Sequence, residues 1–208
     1  MPKLYEYDGW SYERLRQQRG RAHFLLTEPY RYVTVILSPR SSDPHRLFCI
    51  DSPCYHAAGP LGEGDIVEIE NILCIRCPWH RYLVSLERGE EVLLEAGEME
   101  SGGVVANRDE NSAGLMLTTA GGLATSRASV TCGKVVQRTH RAYLDESTAI
   151  LTIEVEDDEV IRRHPIKSDH SAQNIKYGDM CMQIFDIKSK GLSNDHSKSQ
   201  NTLRLSPF

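Results

Sequence analysis

Two short segments of this chain bring together the residue types that bind transition metals. One is Cys54-Tyr55-His56 and the other is Cys77-Pro78-Trp79-His80. Each offers a thiolate and an imidazole within a few residues, on what should be two adjacent loops. Two thiolates and two imidazoles can close a tetrahedral zinc site, or they can ligate the two irons of a [2Fe–2S] cluster. Zinc sites of this composition space like ligands together, as C-x2–4-C and H-x3–5-H. Here the unlike ligands are paired, as C-x-H and C-x-x-H. That pairing suits a cluster to which each loop gives one ligand per iron, Cys54 and Cys77 to one and His56 and His80 to the other. Neutral imidazoles lower the negative charge on their iron and raise its potential. The iron–sulfur reading is the stronger one, with zinc as the alternative.

Composition narrows the setting for this chemistry. A length of 208 residues with 40% hydrophobic residues supports one modest core. No apolar run approaches the ~20 residues needed to cross a bilayer as a helix. The first twenty residues contain no apolar signal region and carry Glu6, Asp8 and Glu13, so a cytoplasmic location without membrane insertion is expected. A net charge of −5 argues against nucleic acid, which needs a concentrated basic face. Six cysteines could form disulfides, but in a reducing compartment clustered Cys and His read first as metal ligands. Cys49 and Cys74 lie in apolar strand candidates and read as buried packing residues, as does Cys132. His23 and His140 read as surface or satisfied strand residues, and His164 and His170 as solvated.

The elements that must position the motifs are mostly short strands. β-branched or alternating texture marks residues 31–37, 46–50, 66–69, 72–75 and 82–86, punctuated by polar and Gly/Pro turns. A closing hairpin is expected from Lys134–His140 and Ala149–Val155, around the turn Asp145–Thr148. An all-β sandwich or partly open barrel follows. Residues 1–20 read as an N-terminal extension with short helical potential near Tyr12–Gln18. The main domain is expected at 21–160, with the ligand-bearing subdomain at about 46–90. The acidic stretch Glu87–Glu110 reads as solvated, and about 95–128 as a long loop or insertion. Residues 161–208 read as a mostly flexible extension, with an apolar patch at Met180–Ile187 and a polar tail at 188–208.

At its motifs the chain resembles the Rieske [2Fe–2S] family, in particular the soluble vertebrate-type Rieske domain-containing, ferredoxin-like proteins. The resemblance rests on CYHAAGPLGEGDI, CIRCPWHRYLVSLERGE and CGKVVQRTH, and it spans about Arg31 to Val155. It implies one [2Fe–2S] cluster held by Cys54, His56, Cys77 and His80, on a small subdomain of a β-sandwich, with the imidazoles at the exposed tip. Respiratory members of the family add a disulfide beside the cluster; the matching places here are Gly59 and Trp79. They also carry hydroxyl donors where this chain has Tyr82 and Val84. These departures put the chain on the ferredoxin side of the family.

The expected role is a monomeric one-electron carrier between a reductase and an acceptor enzyme, with no catalytic residues of its own. About 50 residues follow Val155, too few for the mononuclear-iron domain of a ring-hydroxylating oxygenase. No nucleophile elbow or phosphate-binding glycine loop is present. A regulatory module built on structural zinc or a redox-sensing cluster is the rival reading.

Overall fold

The structure, a computed structural model, describes residues 1–95 and 129–176. The expectations for the loop at 96–128, the patch at Met180–Ile187 and the tail at 188–208 lie outside the described residues. Eleven strands are described: β1 (Lys3–Asp8), β2 (Arg21–Thr27), β3 (Tyr30–Leu37), β4 (Leu47–Asp51), β5 (Asp65–Ile69), β6 (Ile72–Arg76), β7 (Leu83–Ser85), β8 (Glu90–Glu95), β9 (Ser129–Val135), β10 (Thr139–Asp145) and β11 (Ile150–Val155). Three short helices accompany them: α1 (Tyr12–Gln17), α2 (Asp158–Arg163) and α3 (Lys167–Lys176). The fold is all-β, as the short strand texture implies.

Six strands form one sheet in the order β1-β11-β10-β4-β3-β2, and five form another in the order β5-β6-β7-β8-β9. The first sheet curls until its edges meet. The Tyr5 hydroxyl on β1 donates to the Glu28 carbonyl beyond β2 at 2.6 Å and accepts from the Glu28 N–H at 2.9 Å. A partly open barrel results, filled by Tyr7, Trp10, Leu15, Phe24, Leu26, Val33, Val35, Leu151 and Ile153. On β2 the period-2 pattern is clean, with Ala22, Phe24 and Leu26 pointing inward.

β3 and β4 are buried on both faces, because each serves two cores. Val33, Val35 and Cys49 face the barrel interior, while Ile36, Phe48 and Ile50 join a second core with Leu61, Leu73, Ile75, Val84 and Leu86 from the five-stranded side. That second core also contains Cys54 and Cys77.

Three expectations change. Residues 1–20 are no appendage: β1 pairs along its whole length with β11, and α1 is capped by the Ser11 side chain and buries Leu15. The polar surface of this segment hid its alternating inward residues. The closing hairpin is real but shifted, since β10 starts at Thr139 and 134–135 belong to β9 in the other sheet. Within the acidic stretch, Glu90–Glu95 is a strand pairing with β9, since backbone pairing does not require apolar side chains on both faces.

Of the segment 161–208, expected to be a mostly flexible extension, residues 161–176 are described, and there α3 is docked. It buries Ser168, Asp169, Ser171 and Ala172 and docks largely through polar contacts. Asp169 bonds Arg31 and Arg138, Arg31 reaches Asp51 at 2.6 Å, and Ser168 Oγ donates to Asp51 at 3.0 Å. His140 Nε2 completes Asp51 at 2.9 Å. Burial opposes ionisation of Asp169, but bonds from Arg138, the Ile166 N–H and Arg31 outweigh it and hold the carboxyl below its ordinary range.

Removing one member of such a buried ionic network strands the others. Asp169→Ala should cost about 3–5 kcal/mol in chemical denaturation. The contribution of Asp169 is complete above its unfolded-state pKa of about 3.9. It is lost as the pH falls through the lower folded value. Asp169→Asn should therefore flatten that part of the stability–pH curve; an unchanged acid limb would show that the network does not act through this charge.

Candidate metal centre

The four residues singled out by spacing come together at the end of the second core. Cys54 and Cys77 are 1% and 0% exposed and share a hydrogen bond between their sulfurs. His56 and His80 are exposed, and their rings stand edge to face at a centroid distance of 4.8 Å. The arrangement has an inner sulfur pair and an outer imidazole pair.

The two loops share one backbone pattern. In the first, the Cys54 N–H donates to the Gly59 carbonyl and the Ala58 N–H returns to the Cys54 carbonyl, both at 2.8 Å. In the second, the Cys77 N–H donates to the Tyr82 carbonyl at 2.8 Å and the Arg81 N–H to the Cys77 carbonyl at 2.9 Å. The fourth residue after each cysteine takes a left-handed conformation, Ala58 at φ 53° and Arg81 at φ 64°. This closes each turn tightly enough to aim successive N–H groups at the cysteine sulfur: those of His56 and Ala57 at Cys54, and those of Trp79 and His80 at Cys77. Donors so placed favour negatively charged sulfur.

The shared sulfur–sulfur hydrogen bond, with burial, raises the Cys54 pKa. The same bond lowers that of Cys77 to about 6, against opposing burial and with help from the Trp79 and His80 N–H groups and the nearby His80 ring. A buried thiol beside an incipient thiolate is a ready ligand pair for soft metal. No three or more His, Cys, Asp or Glu side chains converge on one ion position among the described residues. Two buried sulfurs beside two exposed imidazoles are the donor set that the two motifs offer to a metal centre, either zinc or iron–sulfur.

Neighbouring residues lock the loops. The first is pinned to the barrel: Arg21 donates to the Gly62 carbonyl at 2.9 Å, and His23 bridges Thr34 at 2.9 Å and Glu63 at 2.8 Å. Glu63 is held below its ordinary range chiefly by that His23 bond. Gln137, fully buried, lies in the connection between β9 and β10 and ties it to the first loop. Its Nε2 donates to the carbonyls of Asp51 at 2.9 Å and Pro53 at 2.7 Å, and its Oε1 accepts from the Tyr55 N–H at 2.8 Å. Gly89 makes room for this connection: at φ 69°, a Cβ there would lie 1.7 Å from the Gln137 carbonyl oxygen. Gln137 stands in the motif CGKVVQRTH, but nothing in its spacing marks a buried amide that serves a distant loop.

Gly59 and Trp79, from the two loops, form a packing contact. A Cβ on Gly59 would approach the Trp79 ring to 2.9 Å, so the indole lies directly on the glycine and braces the two loops. Val84 is fully buried and apolar, while the Tyr82 ring lies 4.5 Å from that of His56. The Tyr55 hydroxyl donates to Glu91 at 2.7 Å.

The remaining candidates sit apart from the centre. Cys49 and Cys74 are buried with their thiols pushed up by burial, Cys74 to about 11. Cys132, read as a packing residue, is exposed on β9, because the β8–β9 ribbon leaves that face uncovered. His23 and His140 are satisfied by the bonds described, and His164 and His170 are exposed.

Residues 33–108 match the family model described as soluble Rieske-type ferredoxin. A human Rieske domain-containing protein is 49% identical over 41 residues, 20% of this chain and 26% of that protein. The match therefore spans about a quarter of that relative's own length. The crystal structure of a protein described as an NADH-dependent nitrite reductase small subunit from Mycobacterium tuberculosis superposes over 75% of this chain and 97% of its own. The TM-score is 0.43 and the identity 8%. The resemblance to Rieske-type ferredoxins indicated by the two motifs is borne out over the matched segment.

The Gly59–Trp79 contact is testable as a coupled pair. Gly59→Ala should destabilise the metal-free protein by about 1–3 kcal/mol through overpacking. In a Trp79→Ala background the same substitution should cost almost nothing. Additive effects in this double-mutant cycle would mean that the indole does not rest on Gly59.

Proposed function

We propose that this chain holds one [2Fe–2S] cluster and serves as a soluble one-electron carrier between a reductase and an acceptor enzyme. Cys54 and Cys77 ligate the inner iron, and His56 and His80 the outer. The observation that carries this reading is the pair of matched loops, which set two buried sulfurs side by side and leave two imidazoles facing outward. When bound, the cluster supplies a reversible single-electron step.

The protein supplies geometry and shielding. The second core keeps water from the sulfurs, and four loop N–H groups offset negative charge at the cysteines. His56 and His80, exposed beside Trp79, provide the surface through which a docked partner exchanges an electron.

The ligand set is tested by iron and acid-labile sulfide content. Cys54→Ser and Cys77→Ser should abolish the cluster, because a hydroxyl replaces thiolate poorly on ferric iron. His56→Ala and His80→Ala should lose most of it. Wild-type stoichiometry in any of the four would remove that residue from the set.

The midpoint potential follows from the surroundings of the cluster. Rieske centres span about −150 to +300 mV, and hydroxyl donors to the cluster raise the value by stabilising the reduced form. Val84 offers no hydroxyl, and no disulfide joins the loops. Voltammetry near neutral pH should therefore find a midpoint in the lower half of that range, suited to feeding an oxygenase or reductase. A value near the top would contradict this account.

A further inference from the structure

The first ligand loop is gripped at a single peptide unit, the one joining Cys54 to Tyr55. Its N–H donates to Gln137 Oε1 at 2.8 Å. Its carbonyl accepts both the Ala58 N–H at 2.8 Å and the hydroxyl of Ser171 at 2.9 Å. A peptide held at both polar ends cannot rotate without breaking a buried hydrogen bond. The equivalent peptide in the second loop, Cys77 to Pro78, has no N–H, and proline restricts its backbone covalently. One loop is thus stiffened by its own sequence. The other depends on a partner 117 residues away in the chain.

That partner sits on α3, outside the segment matched by the ferredoxin family. Ser171 is 5% exposed, and its helix is anchored by Asp169 to Arg31 and Arg138 and by the Ser168 N–H to the Val136 carbonyl at 3.0 Å. Lys167 Nζ lies 5.4 Å over the Tyr55 ring, a second contact of the same helix with the same loop. A helix docked with this many polar bonds is held in register, so its hydroxyl meets the Cys54 carbonyl at a fixed position.

We propose that Ser171 is a positioning residue for the first ligand loop, through which α3 sets the orientation of the N–H groups at Cys54 and hence the reduction potential of the centre. The inference rests on the electron-carrier reading. Freeing the Cys54–Tyr55 peptide lets the His56 and Ala57 N–H groups swing away from the sulfur. Those donors stabilise the reduced, more negative state more than the oxidised one. Their loss lowers the potential and loosens the metal.

The test uses the full-length chain reconstituted with iron and sulfide, comparing Ser171→Ala with Ala172→Gly, which weakens the same helix without touching Cys54. Ser171→Ala should lower the midpoint and shorten the lifetime of the loaded protein against a chelator severalfold, and Ala172→Gly should change neither. In the metal-free protein, amide exchange at Tyr55, His56 and Ala57 should quicken in Ser171→Ala alone. A wild-type midpoint and unchanged exchange in Ser171→Ala would overturn the proposal, as would equal shifts in Ala172→Gly. If Ser171→Ala takes up no cluster, amide exchange decides by itself. Failure of the wild-type chain to load would sink the carrier reading, while the exchange measurement would still judge the clamp.

Discussion

Two arginines and two aspartates, nearly sealed from solvent, hold this molecule to one arrangement. Arg31 on β3, Asp51 at the end of β4, Arg138 before β10 and Asp169 on α3 are each less than a tenth exposed, and each faces an opposite charge. An isolated buried charge is costly enough that its partner must stay in place. The network therefore selects one seating of α3 against the barrel and one course for the chain leaving β4. Asp51 is three residues before Cys54, so the first cysteine loop starts beside this buried network.

From that point the second core does the sorting. Cys54 and Cys77 are counted among its apolar residues, whereas His56 and His80 lie only two and three positions further on and are exposed. Two turns with the same hydrogen-bond pattern produce this difference. Each folds back on its cysteine within five residues, which turns the sulfur inward and the histidine ring outward. The bracing between loops is correspondingly local: an indole rests on a glycine of the facing loop.

The expectations that held and those that failed differ in a consistent way. The strands at 31–37, 46–50, 66–69 and 72–75 were readable because β-branched runs there end in turn residues, and the structure places β3 to β6 within a residue or so of them. β1 and β8 were missed because their exposed faces carry acidic residues and half of each pattern is polar. The β9–β10 boundary was misplaced because one β-rich stretch crosses from one sheet to the other, which only pairing can reveal. α3 could not be read at all as a docked element, since its buried side chains are Ser168, Asp169, Ser171 and Ala172. Such residues look like solvent-facing ones until their partners are known.

By itself, the sequence determined which donor groups the chain carries and how they are spaced. Thiolate and imidazole in C-x-H and C-x-x-H spacing are covalent facts about which donors can reach a metal together, and local turns suffice to present them. Tertiary structure decided how those donors are held. The contact between the two sulfurs, the amide of Gln137, the hydroxyl of Ser171 and the ring of Trp79 join residues far apart in the chain. Their geometry follows from sheet pairing and buried charge, which no local pattern of residues encodes.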